Sequence, residues 1–367
     1  MKRNKLAKKM TAGLLTGAMI MSMSTNVFAA TTVGFKKQLD MTGAPDAKVP
    51  GVEFSFTIEP GEATNEAGKL AVKSGIQSAD EVYPKILPAE FDDTNTIEAG
   101  VATESVSVDF SNVIFTEPGI YRYEITESAF TGVQAEMYNV TNDSQAVRYL
   151  DVYVERIGGK CEITGSVLLS NLVNPTQNGN NADYGTENKS NGYINYYSAA
   201  DLSLDKVVEG TMGDKTEMFT FSVEFTAPVG TSIKYNDGTD KTIEFSSDAD
   251  EDADGLVTMS VQVSMNDGTE DIIFKDIPKG ATYKIIETDP GNGYTTKYQI
   301  GDKAPVEKTG MQAEEVMGTA DVEVIFTNTK NAVTPTGIAM TFAPYAVMVA
   351  FAGVFAVMFL RKKREDF

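Results

Sequence analysis

The chain of 367 residues contains no histidine, no tryptophan and one cysteine, Cys161. Each absence removes a class of chemistry. Without an imidazole there is no Ser-His-Asp or Cys-His nucleophile and no histidine metal site. One thiol makes neither an intramolecular disulfide nor a thiolate zinc cluster. Cys161, in Lys160-Cys161-Glu162-Ile163, reads as a small strand residue with no base to activate it. Basic charge is scarce as well. Nine of the 31 Lys+Arg and two of the 52 Asp+Glu lie in the terminal segments, leaving 22 basic against 50 acidic residues, about −28. So acidic a surface repels nucleic acid and anionic lipid, and nucleic acid is excluded as a partner. No Gly-rich phosphate loop precedes a helix, and no cofactor is expected. Asp250-x-Asp252-x-Asp254-Gly255 starts like a calcium loop, but Val261 stands where a bidentate Glu is required. The acidic stretch 248–254 reads as a solvated hairpin loop, and no metal site is assigned.

The two ends read as addresses. Lys2, Arg3, Lys5, Lys8 and Lys9 precede an apolar stretch from Ala12 to about Met23, and Val27 and Ala29 hold the −3 and −1 places of a cleavage site. Residues 1–29 are therefore expected to be a secretory signal peptide; the apolar part is too short for a comfortable membrane anchor. At the other end, Ile338 to Leu360 carries no charge and is followed by Arg361-Lys362-Lys363-Arg364, the pattern of a transmembrane span with its tail held in the cytoplasm. Val333-Thr334-Pro335-Thr336-Gly337 stands just before it. Pentapeptide, span and basic tail over 331–367 together resemble the cell-wall sorting signal of Gram-positive surface proteins. That resemblance implies a sortase transpeptidase that cleaves between Thr336 and Gly337, keeps the threonyl carbonyl as a thioester, and passes it to an amine. The motif departs from the common Leu-Pro-x-Thr-Gly form.

Between the ends the periodicity is two. Phe54, Phe56 and Ile58 alternate with polar residues, as do Phe219, Phe221, Val223 and Phe225. Asn236-Asp237-Gly238, Asn266-Asp267-Gly268 and Asp289-Pro290-Gly291 punctuate the runs. This predicts an all-β chain of antiparallel sandwiches. It also repeats. Val113-Ile114-Phe115 aligns with Ile272-Ile273-Phe274, and each is followed by Tyr-x-Ile-x-Glu, at Tyr123–Glu127 and Tyr283–Glu287. Two tandem domains are expected, over 30–198 and 199–330.

Three residues per repeat break the alternation in the same way. Lys37, Glu127 and Asn195 stand where a strand points inward, and so do Lys206, Glu287 and Asn328. A lone buried charge is expensive, so such groups become neutral or find partners. One such set reads as a buried ion pair; two in the same order and strand contexts read as chemistry. Here the chain resembles the major backbone pilin of sortase-assembled Gram-positive pili, with two immunoglobulin-like β-sandwich domains. The resemblance implies autocatalytic isopeptide bonds from Lys37 to Asn195, assisted by Glu127, and from Lys206 to Asn328, assisted by Glu287. It further implies export to the cell surface, head-to-tail joining of Thr336 to a lysine of the next copy, and minor pilins and peptidoglycan as further partners.

Two lysines fit the acceptor. Lys189 lies in the polar run Thr186-Glu187-Asn188-Lys189-Ser190-Asn191, shortly before Asn195; Lys85 ends Val82-Tyr83-Pro84-Lys85, which resembles another pilin motif without its upstream Trp. Lys189 is preferred. Two other functions are weighed: a monomeric wall-anchored adhesin or pilus-base subunit with the same domains, and a surface hydrolase using paired carboxylates. The chain is expected not to be an enzyme beyond modifying itself once.

Overall fold

A computed structural model describes residues 31–80, 82–131, 133–179, 181–246, 255–307, 312–332, 345 and 347–356. The signal peptide, the sorting pentapeptide and the acidic stretch 248–254 lie outside the described residues. The architecture is all-β: two tandem β-sandwiches, each closed on its own core, as the alternation predicts. One core gathers Phe35, Leu39, Phe56, Tyr123, Ile125 and Val152; the other gathers Leu204, Phe221, Val223, Phe274, Ile285 and Phe326. A fully buried Leu or Phe contributes about 1.5–3 kcal/mol, enough in aggregate for each core to carry the polar groups buried within it.

In the first sandwich, one sheet orders the strands Asn139–Thr141, Gly192–Ser198, Thr32–Gly43, Val101–Asp109 and Lys85–Ile86. The facing sheet orders Lys160–Leu169, Val147–Ile157, Gly119–Glu127 and Phe56–Pro60. The second sandwich has Ala200–Glu209 between Ile272–Ile277 and Val322–Thr329 in one sheet. Its other sheet is Leu256–Met265, Phe219–Pro228, Thr282–Glu287 and Gln312–Val316. Both share one unusual feature: the opening strand pairs in parallel with the closing one, Thr32–Gly43 with Gly192–Ser198 and Ala200–Glu209 with Val322–Thr329. Parallel neighbours cannot be joined by a hairpin, so this pairing brings together the two ends of each domain.

The opening strands show strict alternation, with Val33, Phe35, Lys37, Leu39 and Met41 buried in one and Ala200, Leu202, Leu204, Lys206 and Val208 in the other. The repeat is shifted at one element. Ile272–Ile277 is a strand against the second opening strand, but residues 113–118 form a loop, and the strand in the equivalent place is Val101–Asp109. Phe115 is nevertheless buried, packed on Phe110 and Tyr121, so its apolar signature reports packing under a loop that ends at Pro118.

At the joint, the loop after the first opening strand reaches the second sandwich. Asp46 Oδ1 lies 3.2 Å from Lys234 Nζ and Asp46 Oδ2 3.2 Å from Lys275 Nζ. The Asp46 N–H donates to Asp276 Oδ2 at 2.5 Å, and Lys279 Nζ donates to the Ala135 carbonyl at 2.9 Å from the short helix Val133–Met137. Toward the C-terminus residues 347–356 are helical, with Val349, Phe351 and Phe355 exposed. Among the described residues no helix is long and apolar enough to cross a membrane; most of the expected span 338–360 lies outside them, so the fold lends that expectation no support.

The outer face of the sheet bearing Glu127 is covered too, and an ion pair that the alternation does not signal sits beneath the cover. Arg122 Nε and Nη2 meet Asp151 Oδ1 and Oδ2 at 2.7 and 2.6 Å, Tyr184 Oη donates to Asp151 Oδ2 at 2.7 Å, and Arg122 Nη2 donates to the Val173 carbonyl at 2.6 Å. Removing one partner leaves the other charge buried and unpaired. Asp151→Ala is expected to cost about 3–5 kcal/mol, measured as a lower denaturant midpoint for the first sandwich with the transition of the second unmoved.

Candidate functional site

The ladders bring the six predicted residues into two triads by the same register. Lys37 pairs with Tyr193 and Leu39 with Asn195; Lys206 pairs with Phe326 and Val208 with Asn328. In both, the asparagine lies two residues beyond the lysine's partner, on the inward face. The acid comes from the opposite sheet, where Glu127 pairs with Phe56 and Glu287 with Phe221. Each lysine is capped by an aromatic ring, Lys37 Nζ 4.3 Å from the Phe54 centroid and Lys206 Nζ 4.2 Å from that of Phe219. Lys37, Asn195 and Asn328 are fully buried, Lys206 is 1% exposed, and Glu127 and Glu287 are 5% and 6% exposed.

In the first triad, Lys37 Nζ lies 2.6 Å from Glu127 Oε1 and donates to Asn195 Oδ1 at 2.7 Å. In the second, Lys206 Nζ donates to Glu287 Oε1 at 2.7 Å, and Asn328 Nδ2 donates to the same oxygen at 2.8 Å. Burial holds both amines low: Lys37 is brought down to about 8 against the opposing pull of Glu127, and Lys206 to about 8 against that of Glu287. Burial also pushes the Glu127 carboxyl upward, against the opposing pull of Lys37. In the first pocket amine and acid can both be neutral, and a neutral amine held against a carboxamide is a nucleophile beside its electrophile. Glu127 and Glu287 belong to different cores, each beside its own lysine, and so do not form one pair of catalytic carboxylates. Among the described residues no cluster of three or more His, Cys, Asp or Glu could hold a metal.

Both candidate acceptors are exposed. Lys189 closes the turn Thr186–Asn188, its N–H donating to the Thr186 carbonyl at 3.2 Å, and it bridges to Leu169. Lys85 pairs with Asp109 at the edge of the sheet. Sequence reasoning missed the groups around the first triad. The Asp143 N–H donates to Asn195 Oδ1 at 3.0 Å, and its carboxylate takes the Arg148 guanidinium at 2.9 Å. It also missed the Pro290 carbonyl, which accepts from Asn328 Nδ2 at 3.2 Å. Asp143 and Pro290 stand in turns, where polar residues are ordinary, and nothing in their pattern marks a site.

Comparison with known proteins bears on the fold and on the family resemblance. Residues 33–197 match the family model described as the Spy0128-like isopeptide containing domain, and residues 200–330 match a domain of unknown function. A pilin of Streptococcus pyogenes serotype M1 is 29% identical over 95% of this chain and 98% of its own length. A crystal structure of the major pilin from Streptococcus pyogenes superposes with a TM-score of 0.61 at 21% identity, covering 83% of this chain and all of that one. The T3.2 major pilin of the same species gives 0.57 at 21%, covering 82% and 98%. At that identity the solved structures speak for the fold alone. The resemblance to pilins drawn from the residues is borne out.

Reaction of either lysine requires its neutral form, which grows as pH rises through the value burial sets. If either lysine condenses with its asparagine, full-length chain recovered unreacted from inclusion bodies and refolded across a pH series is expected to lose ammonia faster as pH rises, with a half-maximal rate near 8. Intact mass against time measures it. A rate already maximal at pH 6 would mean that the amine ionisation does not gate the reaction.

Proposed function

We propose that this chain is the repeating shaft subunit of a covalent pilus on the surface of a Gram-positive bacterium. In this reading residues 1–29 direct export, the sandwiches span 30–198 and 199–330, and the segment 331–367 is the sorting signal that a sortase cuts after Thr336. Each sandwich closes one isopeptide bond, Lys37 to Asn195 and Lys206 to Asn328. The neutral amine attacks the carboxamide carbon, Glu127 or Glu287 relays the proton, and ammonia leaves. Each domain reacts once and is consumed as catalyst, so the chemistry is self-modification.

The observation that carries the shaft reading is where the candidate acceptors stand relative to the strand by which the chain leaves the second sandwich. The first opening strand begins beside Asp109, which pairs with both Thr32 and Lys85; Lys189 lies just before Gly192, which pairs with Lys36. Both lysines are thus at the end of the first sandwich remote from Gly43 and Ser198, where the chain passes into the second. The second opening and closing strands run parallel away from that joint, so the chain leaves at Thr329 from the opposite pole. An acceptor at one pole, with the chain leaving toward Thr336 from the other, suits a linear polymer. The similarity to a streptococcal pilin over most of the chain supports the same reading, and Lys189, its backbone braced on both sides, is the preferred acceptor.

The segment Thr31 to Thr336 is expected to weigh less than its formula by two molecules of ammonia. Glu127→Ala and Glu287→Ala should each restore one of the two while the other bond forms as before. Normal bonding in both variants would remove the acids from the chemistry. In a cell with its sortase, Lys189→Ala is expected to abolish the ladder of high-mass species that survives boiling; a persistent ladder would move the acceptor role to Lys85 or elsewhere.

A further inference from the structure

The two carboxamides face opposite ways, and the backbone fixes each. A peptide N–H only donates and a peptide carbonyl only accepts. The atom of Asn195 that faces the Asp143 N–H at 3.0 Å must therefore be Oδ1, and the atom of Asn328 that faces the Pro290 carbonyl at 3.2 Å must be Nδ2. The consequences are complementary. Among the described residues Asn195 Nδ2 is buried without a hydrogen-bond partner, while in the second triad Asn328 Oδ1 and Glu287 Oε2 are the buried atoms without one.

The geometry points to the Asp143 backbone N–H as an oxyanion donor for bond formation in the first sandwich, a role with no counterpart in the second. This inference rests on the reading that Lys37 and Asn195 condense. As Lys37 Nζ bonds to the Asn195 carboxamide carbon, the π pair moves to Oδ1, the oxygen that the Asp143 N–H already holds. The amine proton passes to Glu127 and then to Nδ2, the C–Nδ2 bond breaks, and ammonia departs, leaving an amide and an intact Glu127. A preplaced backbone donor at the developing charge is a large source of rate. The donor itself is pegged: the Asp143 carboxylate accepts from Arg148 Nη2 at 2.9 Å and from the Ile194 N–H at 3.0 Å. Arg148 in turn donates from Nε to Ser190 Oγ at 3.1 Å, with its guanidinium 4.9 Å from the Tyr193 ring centroid. Ile194 adjoins Asn195, so the carboxylate ties the donor to the strand that carries the acceptor oxygen. Arg148 is a positioning residue.

The test is a refolding time course of the full chain above the pH at which the rate levels off, with the 37–195 and 206–328 cross-linked peptides quantified separately. Asp143→Ala frees the donor and is expected to slow the first bond by about tenfold or more, with the second bond, an internal control, unchanged. Asp143→Asn keeps an oxygen for the Ile194 N–H and should recover part of the loss. Arg148→Met releases the same carboxylate with Asp143 itself unchanged, giving up also the Nη1 donation to the Gln145 and Val147 carbonyls, and should slow the first bond in the same direction. Folding of the first sandwich, followed by tyrosine circular dichroism, should keep its wild-type rate, which a purely structural role would not predict. First-bond formation at the wild-type rate in both Asp143→Ala and Arg148→Met, or equal slowing of the two bonds, overturns the inference. Absence of the 37–195 peptide in the wild-type chain would instead remove the condensation on which it rests.

Discussion

The parallel pairing of the first and last strands of each sandwich is the constraint from which the rest of the molecule follows. Lys37 and Asn195 are 158 residues apart in sequence and 2.7 Å apart in space, and only the ladder between chain-distant strands accounts for both. Burial then acts on what the ladder brings together. It removes water from each lysine amine and lowers it, and in the first sandwich it also raises Glu127, which weakens the preference of that pair for its charged form. The ring of Phe54 or Phe219 over each lysine excludes solvent from the same spot. Fold and site are one arrangement, because the register that closes the sandwich is the register that sets the triad.

How much of this could be read from residues alone depended on whether a residue broke a pattern. Lys37 and Lys206 interrupt otherwise apolar alternation, and Glu127 and Glu287 end matching Tyr-x-Ile-x-Glu runs, so their inward direction was legible and their repetition marked them. Arg122 was not legible: it lies in the outward phase of its strand, where a charged residue is ordinary, and it is buried only because chain segments from elsewhere cover that face. Phe115 misled in the other direction, since an aromatic after two branched residues looks like a strand and here packs under a loop. Asp143 gave no signal because its contribution is a backbone N–H, which every residue but proline possesses.

The two triads share register, burial and aromatic cover, yet they hold their carboxamides in opposite orientations. In the first, the oxygen is held by Lys37 and the Asp143 N–H; in the second, the nitrogen is held by Glu287 and the Pro290 carbonyl. Attack on a carboxamide needs charge stabilised at oxygen and a proton delivered to nitrogen. The first arrangement would serve the former, whereas in the second Nδ2 donates to Glu287 Oε1, which sets the acid beside the atom that would have to take up a proton. Repetition of residue types thus does not entail repetition of mechanism, because the turns that complete each triad differ.

In the proposed polymer the acceptor position decides which bond bears load. Load leaving through Thr329 reaches the second closing strand directly, and a Lys206–Asn328 link passes it to the second opening strand and so back to the joint. Everything between residues 206 and 328 stays off the line. If load enters at Lys189, it runs down Gly192–Ser198 and straight into Ala200–Glu209. The Lys37–Asn195 link then lies beside the line, and its effect is to keep the loaded strand from being sheared out of the sheet. If load enters at Lys85, the short covalent route to the joint runs back to Lys37 and across to Asn195, which places the first bond in series. Two chemically equivalent bonds would thus do different mechanical work, and the difference would come from the acceptor lysine.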